Sequence, residues 1–538
     1  MNTISRQCVL TFLLCLLFVH ISQASGLKEK DPFIDGITLL SSTSFDDKEQ
    51  AIKSIGLSGS DRAEITLQAL LAGDLFFIKS DKKLVFGEKQ DSKYAITDFL
   101  TREDLGLIKK RKLKKITINN QLRGTLKATL AQLNLKHPDK HVRLAAAKAI
   151  LNDLTPELLP VLEECHKEEQ NQEVREALET ALAVAGLKHT DIKKRLEALQ
   201  TVQNSLSPVV KNELIALLKT EEDPTIVVQV KAALAQIEIR LAWYAKLETI
   251  FFGLSLGSVL VLAAIGLAIT FGVIGVINMA HGELIMLGAY TTYVIQQLMP
   301  NSIGLALVIS VPAAFCVSGL VGIIIEKSVI RFLYGRPLET LLATFGISLV
   351  LQQTVRSIFS PLNRSVSTPE WMSGSIVINP VLSLTTNRVT IFVFSMLVFA
   401  GLYFLLKKSS LGLHVRAVAQ NRSMARAMGV RAARVDALTF GLGSGIAGIA
   451  GVALSQLTNV GPNLGQAYII DSFMVVVFGG VGNLWGTLLG GLSLGIANKF
   501  LEPWSGAVLA KILILVFIIL FIQKRPQGLF PQKGRAAE

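Results

Sequence analysis

Long stretches without charge dominate the second half of the chain, and they constrain its fold more than any other feature. Residues 249–280 contain no Asp, Glu, Lys or Arg, and neither do residues 284–325. Runs of that length match the roughly 20 apolar residues a helix needs to cross a bilayer. In hydrocarbon each backbone amide must be satisfied within the protein, so the runs predict helices and not an open sheet. The pattern predicts spans at 250–274, 283–298, 303–325, 340–358, 389–406, 437–457, 468–482, 486–500 and 506–522. That makes nine crossings, or seven if 468–500 is a re-entrant hairpin.

Charge divides the chain in two. Residues 1–245 carry 34 Lys+Arg and 32 Asp+Glu, whereas residues 246–538 carry 20 and 9. The excess of the +13 net charge therefore lies between apolar spans. Such placement sets membrane orientation and does not build a nucleic-acid face. Lys327, Arg331 and Arg336 follow the third span, and Lys407, Lys408, Arg416, Arg422, Arg426, Arg431 and Arg434 follow the fifth. The tail is basic as well, while 360–388 is nearly neutral. With residues 25–245 exported, all three basic segments fall on the inner side.

An export signal is read at residues 1–24, where Arg6 precedes a short apolar core and Ser22 and Ala24 close it. Residues 25–120 read as mixed, with helices and a small β-hairpin at 75–89. Residues 121–245 read as helix pairs. Segments 137–152, 171–186 and 223–238 each start with a polar cap and continue with Ala and Leu at helical spacing, as in HEAT-like repeats. Cys8 and Cys15 lie in the leader, and Cys165 and Cys316 form no disulfide or metal pattern. His137, His141, His166 and His189 lack a second ligand at metal spacing, so no metal is expected. The expected fold is all-α: a helical membrane domain at 246–530, preceded by the exported HEAT-like region and followed by a short inner tail, 531–538.

Three places in the apolar half carry chemistry. In "NMAHGE", Asn278, His281, Gly282 and Glu283 interrupt the longest apolar region. An ionisable group at bilayer depth costs about 2.5–3.5 kcal/mol on insertion scales, so it must face protein or water. The segment reads as a polar break in a transport path, as a cap and hinge between two helices, or as a proton relay. Asp471 lines a path or sits at an interface. In the inner loop at 412–434, Arg416, Asn421, Arg422, Arg426 and Gly429 lie among short amphipathic helices bearing Met424 and Met428, a surface a soluble subunit can grip. "GSGIAG" matches a nucleotide fingerprint only formally, because it opens no strand–helix unit. No G-x-x-x-x-G-K-[ST] motif occurs, so any ATPase must be another chain.

The stretches "GLAITFGVIGVINMAHGELIMLGAY", "LLATFGISLVLQQ", "LGLHVRAVAQNRSMARAMGV" and "FMVVVFGGVGNLWGTLLGG" resemble the permease subunits of branched-chain amino-acid ABC importers of the LivH family, over about residues 245–530. Within that family, "QQTVRSIFSPLNR", "VSTPEWMSGS", "NPVLSLTTNRV" and "VGPNLGQAYIIDSF" look most like urea-importer permeases, as does the added N-terminal module. The resemblance implies a bacterial inner-membrane importer with a periplasmic N-terminal region and a cytoplasmic C-terminus. It implies a second related permease, two cytoplasmic ATP-binding subunits, a periplasmic solute-binding protein and a lipid surround. No cofactor is expected on this chain, since ATP would act through the partners, and no catalysis of its own. Segment 412–434 takes the place of the ATPase-coupling segment. Urea, a short amide or a branched-chain amino acid is the expected cargo. A passive channel and a membrane sensor are the rival classes; the basic coupling loop argues against the first and the missing output domain against the second.

Overall fold

The computed structural model describes residues 32–531 apart from 43, 61, 82, 91–92, 100–102 and 153. The expected leader at 1–24 and nearly all of the tail at 531–538 lie outside the described residues. The chain divides into two compact units, Met1–Glu238 and Ile239–Glu538.

The first unit opens with helices α1 (Pro32–Leu39), α2 (Phe45–Leu57) and α3 (Ala63–Ala72). Strands β1 (Leu75–Ile78), β2 (Leu84–Gln90), β3 (Lys93–Asp98), β4 (Asp104–Lys109) and β5 (Leu113–Lys115) follow. The expected hairpin is present, with Leu75 opposite Phe86, but it is part of a five-stranded antiparallel sheet in the order β4-β3-β2-β1-β5. An all-α description is therefore too narrow. Strands β3 and β4 alternate only briefly, through Tyr94 and Ile96 and through Leu105 and Leu107, and Gly106 and a register shift at Ile96/Thr97 interrupt the pattern that marks a strand. The sheet packs Leu75, Phe77 and Leu84 on Ile52, Ile55 and Leu67 of the helices.

Helices α4 (Asn120–Leu135), α5 (Lys140–Asn152), α6 (Leu159–Glu168), α7 (Gln172–Gly186), α8 (Ile192–Val202) and α9 (Pro208–Thr220) complete the unit with the start of α10 (Pro224–Ile274). A repeat is present here, and its side-chain chemistry recurs every 52 residues. His137 Nδ1 accepts from the Asp139 amide at 3.0 Å, and His189 Nδ1 from the Asp191 amide at 2.9 Å. Arg143 pairs with Glu169 at 2.8 Å, and Arg195 with Glu221 at 3.3 Å. Asn171 and Asp223 then cap the next helix of each set, accepting from the Val174 and Ile226 amides. Each repeat is thus three helices tied by one half-buried ion pair.

The second unit contains the apolar spans. After α10 come α11 (His281–Leu298), α12 (Ile303–Ser328), α13 (Pro337–Phe359), the ribbon β6 (Ser375–Val377) and β7 (Ser383–Thr385), and α14 (Thr386–Lys408). Then follow α15 (Ser410–Gln420), α16 (Arg422–Ala427), α17 (Ala432–Ser455), α18 (Leu464–Gly479) and α19 (Leu484–Lys524). Six described helices are long and apolar enough to cross a membrane; α11 and α18 are shorter or less apolar. α19 is two passes, because Gly506 breaks it at φ 77°. The chain reverses there. Lys511 meets Asp471 at 2.8 Å, and Phe521 returns to Phe478 at 4.9 Å between ring centres.

Contacts sort the loops into two ends. At one end, Arg422 pairs with Asp436 and lies 4.6 Å above the Tyr334 ring, Arg416 lies beside Gly482 and Trp485, and Asn483 donates to the Phe530 carbonyl. At the other, Arg364 bridges to Val460, Gln296 donates to the Ser367 carbonyl, and Asn387 to the Gln456 carbonyl. The basic loops thus share one end. α10 and α17 form the centre, with 83% and 89% of their most apolar windows buried, against 17–33% for α12, α13, α14 and α19. Glycines bring the central helices together: Gly266 lies against Gly443, and Gly257 against Leu492. Small residues suit membrane helices, which have no hydrophobic drive to associate and gain from close packing instead. The "GSGIAG" glycines belong to this packing, inside buried α17.

Candidate functional site

The "NMAHGE" segment is carried deep into the bundle and does not stay at the inner end of the first span. Gly275, at φ 75°, turns the chain after α10, and residues 275–280 run back along that helix. His281 then lies with Nε2 2.8 Å from the Ala263 carbonyl. Ala263 is eleven residues before the end of α10, a retreat of about 16 Å at 1.5 Å per residue. A carbonyl can only accept, so Nε2 carries the proton and Nδ1 is left as an acceptor. His281 is fully buried, and this contact fixes the returning segment to α10.

A second break mirrors the first. α17 ends at Ser455, the chain pairs with Arg364 at Val460, and α18 begins at Leu464. The starts of α11 and α18 meet at Gly282 and Gly465: a Cβ on Gly282 would stand 2.5 Å from the Gly465 carbonyl oxygen, and one on Gly465 would strike the Gly282 backbone. Both half-helices therefore begin inside the bundle, each with its N-terminus facing the other break. Broken backbone at this depth is tolerated only where protein or a polar path satisfies it.

α13 supplies that satisfaction. Thr340, Thr344, Ser348 and Gln352 follow each other at four-residue spacing and are all buried. Thr344 Oγ1 accepts from the Met279 amide at 3.1 Å. Ser348 donates to Glu283 Oε1 at 3.0 Å. Gln352 donates to Asn463 Oδ1 at 3.0 Å, and Arg356 to the same oxygen at 2.8 Å. One face of α13 thus touches both breaks. The sequence reading did not single these residues out, although the spacing of Thr, Ser and Gln in "LETLLATFGISLVLQQTVR" is the mark of a polar helix face. Asn278 Oδ1 accepts from the Ala280 amide at 3.0 Å, while Asn278 Nδ2 and Glu283 Oε2 have no protein partner.

Asp471 lies on α18, six residues beyond Gly465. It pairs with Lys511, and beside it Lys499 pairs with Glu502 at 2.6 Å, around a cavity of about 200 Å³ shared with Tyr468 and Asn498. Charges in apolar spans are expected to be paired in this way. No group of three or more His, Cys, Asp or Glu suited to a metal occurs among the described residues.

The 412–434 loop folds as two short helices on a core of Val415, Val418, Ala425, Ala432 and Val435. Three of the five residues singled out there hold the loop itself. Arg416 donates to the Leu406 carbonyl, Asn421 caps α16 through the Met424 amide at 2.9 Å, and Arg422 pairs with Asp436. Gly429 ends α16's turn at φ 86°. Burial, and then Glu326, push the Tyr334 hydroxyl up, so it stays protonated and donates to Glu326 at 2.6 Å under the Arg422 guanidinium. Arg426 lines a cavity of about 490 Å³ with Lys327, Arg331 and Arg434. Leu413, Met424 and Met428 are exposed, so this end presents both apolar and cationic contacts.

The family described as "Branched-chain amino acid transport system / permease component" matches residues 249–522, from the middle of α10 to near the end of α19. The chain belongs to this permease family. It is 32% identical to the high-affinity branched-chain amino acid transport system permease protein BraD of Pseudomonas aeruginosa, over 53% of this chain and 96% of that protein. It is 31% identical to the permease LivH of Escherichia coli, over 53% of this chain and 94% of that protein. A probable LivH of Methanocaldococcus jannaschii is 27% identical over 51% of this chain and 88% of its own length. No solved structure matches. Almost the whole of BraD and LivH is thus accounted for by about half of this permease, and the rest of the chain has no counterpart in them. Family and apolar helices together make the permease a multi-pass inner-membrane protein.

Proposed function

We propose that the chain is the membrane-spanning subunit of an ATP-driven importer for a small polar solute, working with a second permease, two ATP-binding subunits and a solute-binding protein. The observation that carries this is the pair of half-helices meeting inside the bundle at Gly282 and Gly465, lined by the polar face of α13. Discontinuous helices of this kind are where membrane transporters place their solute paths. The basic end is assigned to the cytoplasm by the positive-inside rule. There, exposed Met424 and Met428 with Arg426 would receive the ATP-binding subunits, held in register by Arg422, Asp436 and Tyr334.

For the cargo, the named relatives favour branched-chain amino acids. The urea reading is supported by the stretches 352–364, 366–375, 379–389 and 460–473 and by the additional N-terminal unit, which BraD and LivH do not share. Reconstitution of the complete importer in liposomes decides among these. ATP-dependent uptake of radiolabelled leucine or of urea supports import and names the cargo; ATP-independent flux would make the chain a channel, and no uptake of either would remove the reading. In the same vesicles, an Arg422→Cys thiol that reacts only from the ATPase side fits the orientation, and reaction from the opposite side reverses it.

A further inference from the structure

The geometry points to a solute-reading site made by Glu283, Asn278 and Ser348 at the start of α11, for a solute that carries an N–H donor beside a carbonyl or carboxylate oxygen. This deepens the import reading and rests on it. Glu283 and Asn278 are each 1% exposed. Each spends one polar atom on the protein: Glu283 Oε1 accepts from Ser348 at 3.0 Å, and Asn278 Oδ1 from the Ala280 amide at 3.0 Å. Each leaves one atom without a protein partner, Glu283 Oε2 and Asn278 Nδ2. Leaving a buried polar atom unpaired costs about 1–3 kcal/mol. Stabilising the helix break does not require that cost, because Asn278 Oδ1 and Thr344 Oγ1 already serve the returning backbone.

With Glu283 ionised, the two free atoms have opposite hydrogen-bonding character, because an amide nitrogen only donates and a carboxylate oxygen only accepts. A solute that offers an N–H to Glu283 and an oxygen to Asn278 satisfies both, and ureas, amides and α-amino acids all present that combination. Thr344 and Ser348 lie one turn apart on α13 and hold the two ends of the reading segment, Met279 and Glu283. Ser348 is the positioning residue, orienting the carboxyl so that Oε2 remains for the solute. His281 belongs to the scaffold, since its bond to Ala263 anchors the segment to α10.

The test uses the complete importer in liposomes and compares uptake of the transported solute with that of its N-methylated analogue, urea against methylurea or leucine against N-methylleucine. The binding protein is the same throughout, so a change in the ratio reports this chain. Glu283→Gln puts a donor where an acceptor is needed, and Ser348→Ala frees the carboxyl to rotate. Each is expected to raise KM for the parent solute about tenfold, the loss of one buried hydrogen bond, and to narrow the preference over the methylated analogue. A purely structural role would lower the rate for both solutes alike and leave the ratio unchanged. Wild-type ratios in both variants, whatever their rates, would overturn the site. Failure of the wild-type importer to move either solute would instead overturn the import reading.

Discussion

At the scale of single residues, the glycines at the half-helix starts are as decisive as the charged groups. Gly282 and Gly465 face each other with no room for a side chain, and the obstacle is backbone that has nowhere to shift. Gly465→Val is expected to cost more than the 1–3 kcal/mol usual for overpacking and to reduce the yield of assembled complex, read by size-exclusion chromatography in detergent. Gly346, whose position opens onto free space, is the control, and Gly346→Ala is expected to be neutral. The sequence showed that "NMAHGE" is out of place in its surroundings, because ionisable groups stand out in apolar spans. It did not show the depth of the segment, which is set by the contact of His281 with Ala263, a residue with no distinguishing chemistry.

At the scale of elements, helix positions were legible because hydropathy sets them. Each of the nine sequence-derived spans has a helical counterpart, including the two passes of α19, separated at Gly506. The five-stranded sheet was only partly legible, since the alternation in β3 and β4 covers only Tyr94 and Ile96 and Leu105 and Leu107. The three-helix repeat was masked by the Ala- and Leu-rich similarity of all its helices; its mark is the recurrence of His, Asp, Arg and Glu at 137, 139, 143 and 169 and again at 189, 191, 195 and 221. In the first of these sets the Arg143 guanidinium holds the Glu169 carboxyl below the usual glutamate range. The folded value lies below the unfolded one of about 4.3, so the pair stabilises above that pH and its contribution is lost as pH falls through the folded value. Glu169→Gln is expected to weaken α5–α7 by about 1–2 kcal/mol at pH 7 and to have a smaller effect at pH 3, below the unfolded value. Hydrogen exchange of amides 140–186 in the full chain, corrected for intrinsic rates, reads this; an equal loss at both pH values would contradict it.

At the scale of the whole molecule, the membrane unit is organised around two buried helices, α10 and α17, each followed by a break and a half-helix. Lipid-facing or partner-facing helices surround them, and one of these, α13, turns a polar strip inward to both breaks. The family was legible from the sequence, and so was the four-residue spacing of the strip; its aim at both breaks was not, because contacts with Met279, Glu283 and Asn463 set it. The central claim is that solute passes along this strip. It is tested most directly by Ser348→Cys in a chain whose four native cysteines are serine, assembled in the complete importer and exposed to a small membrane-impermeant thiol reagent. Slow modification at rest, faster modification during ATP turnover and protection by the transported solute are expected. A thiol at 348 that stays unreactive throughout turnover, or reacts at the same rate with and without solute, would contradict it.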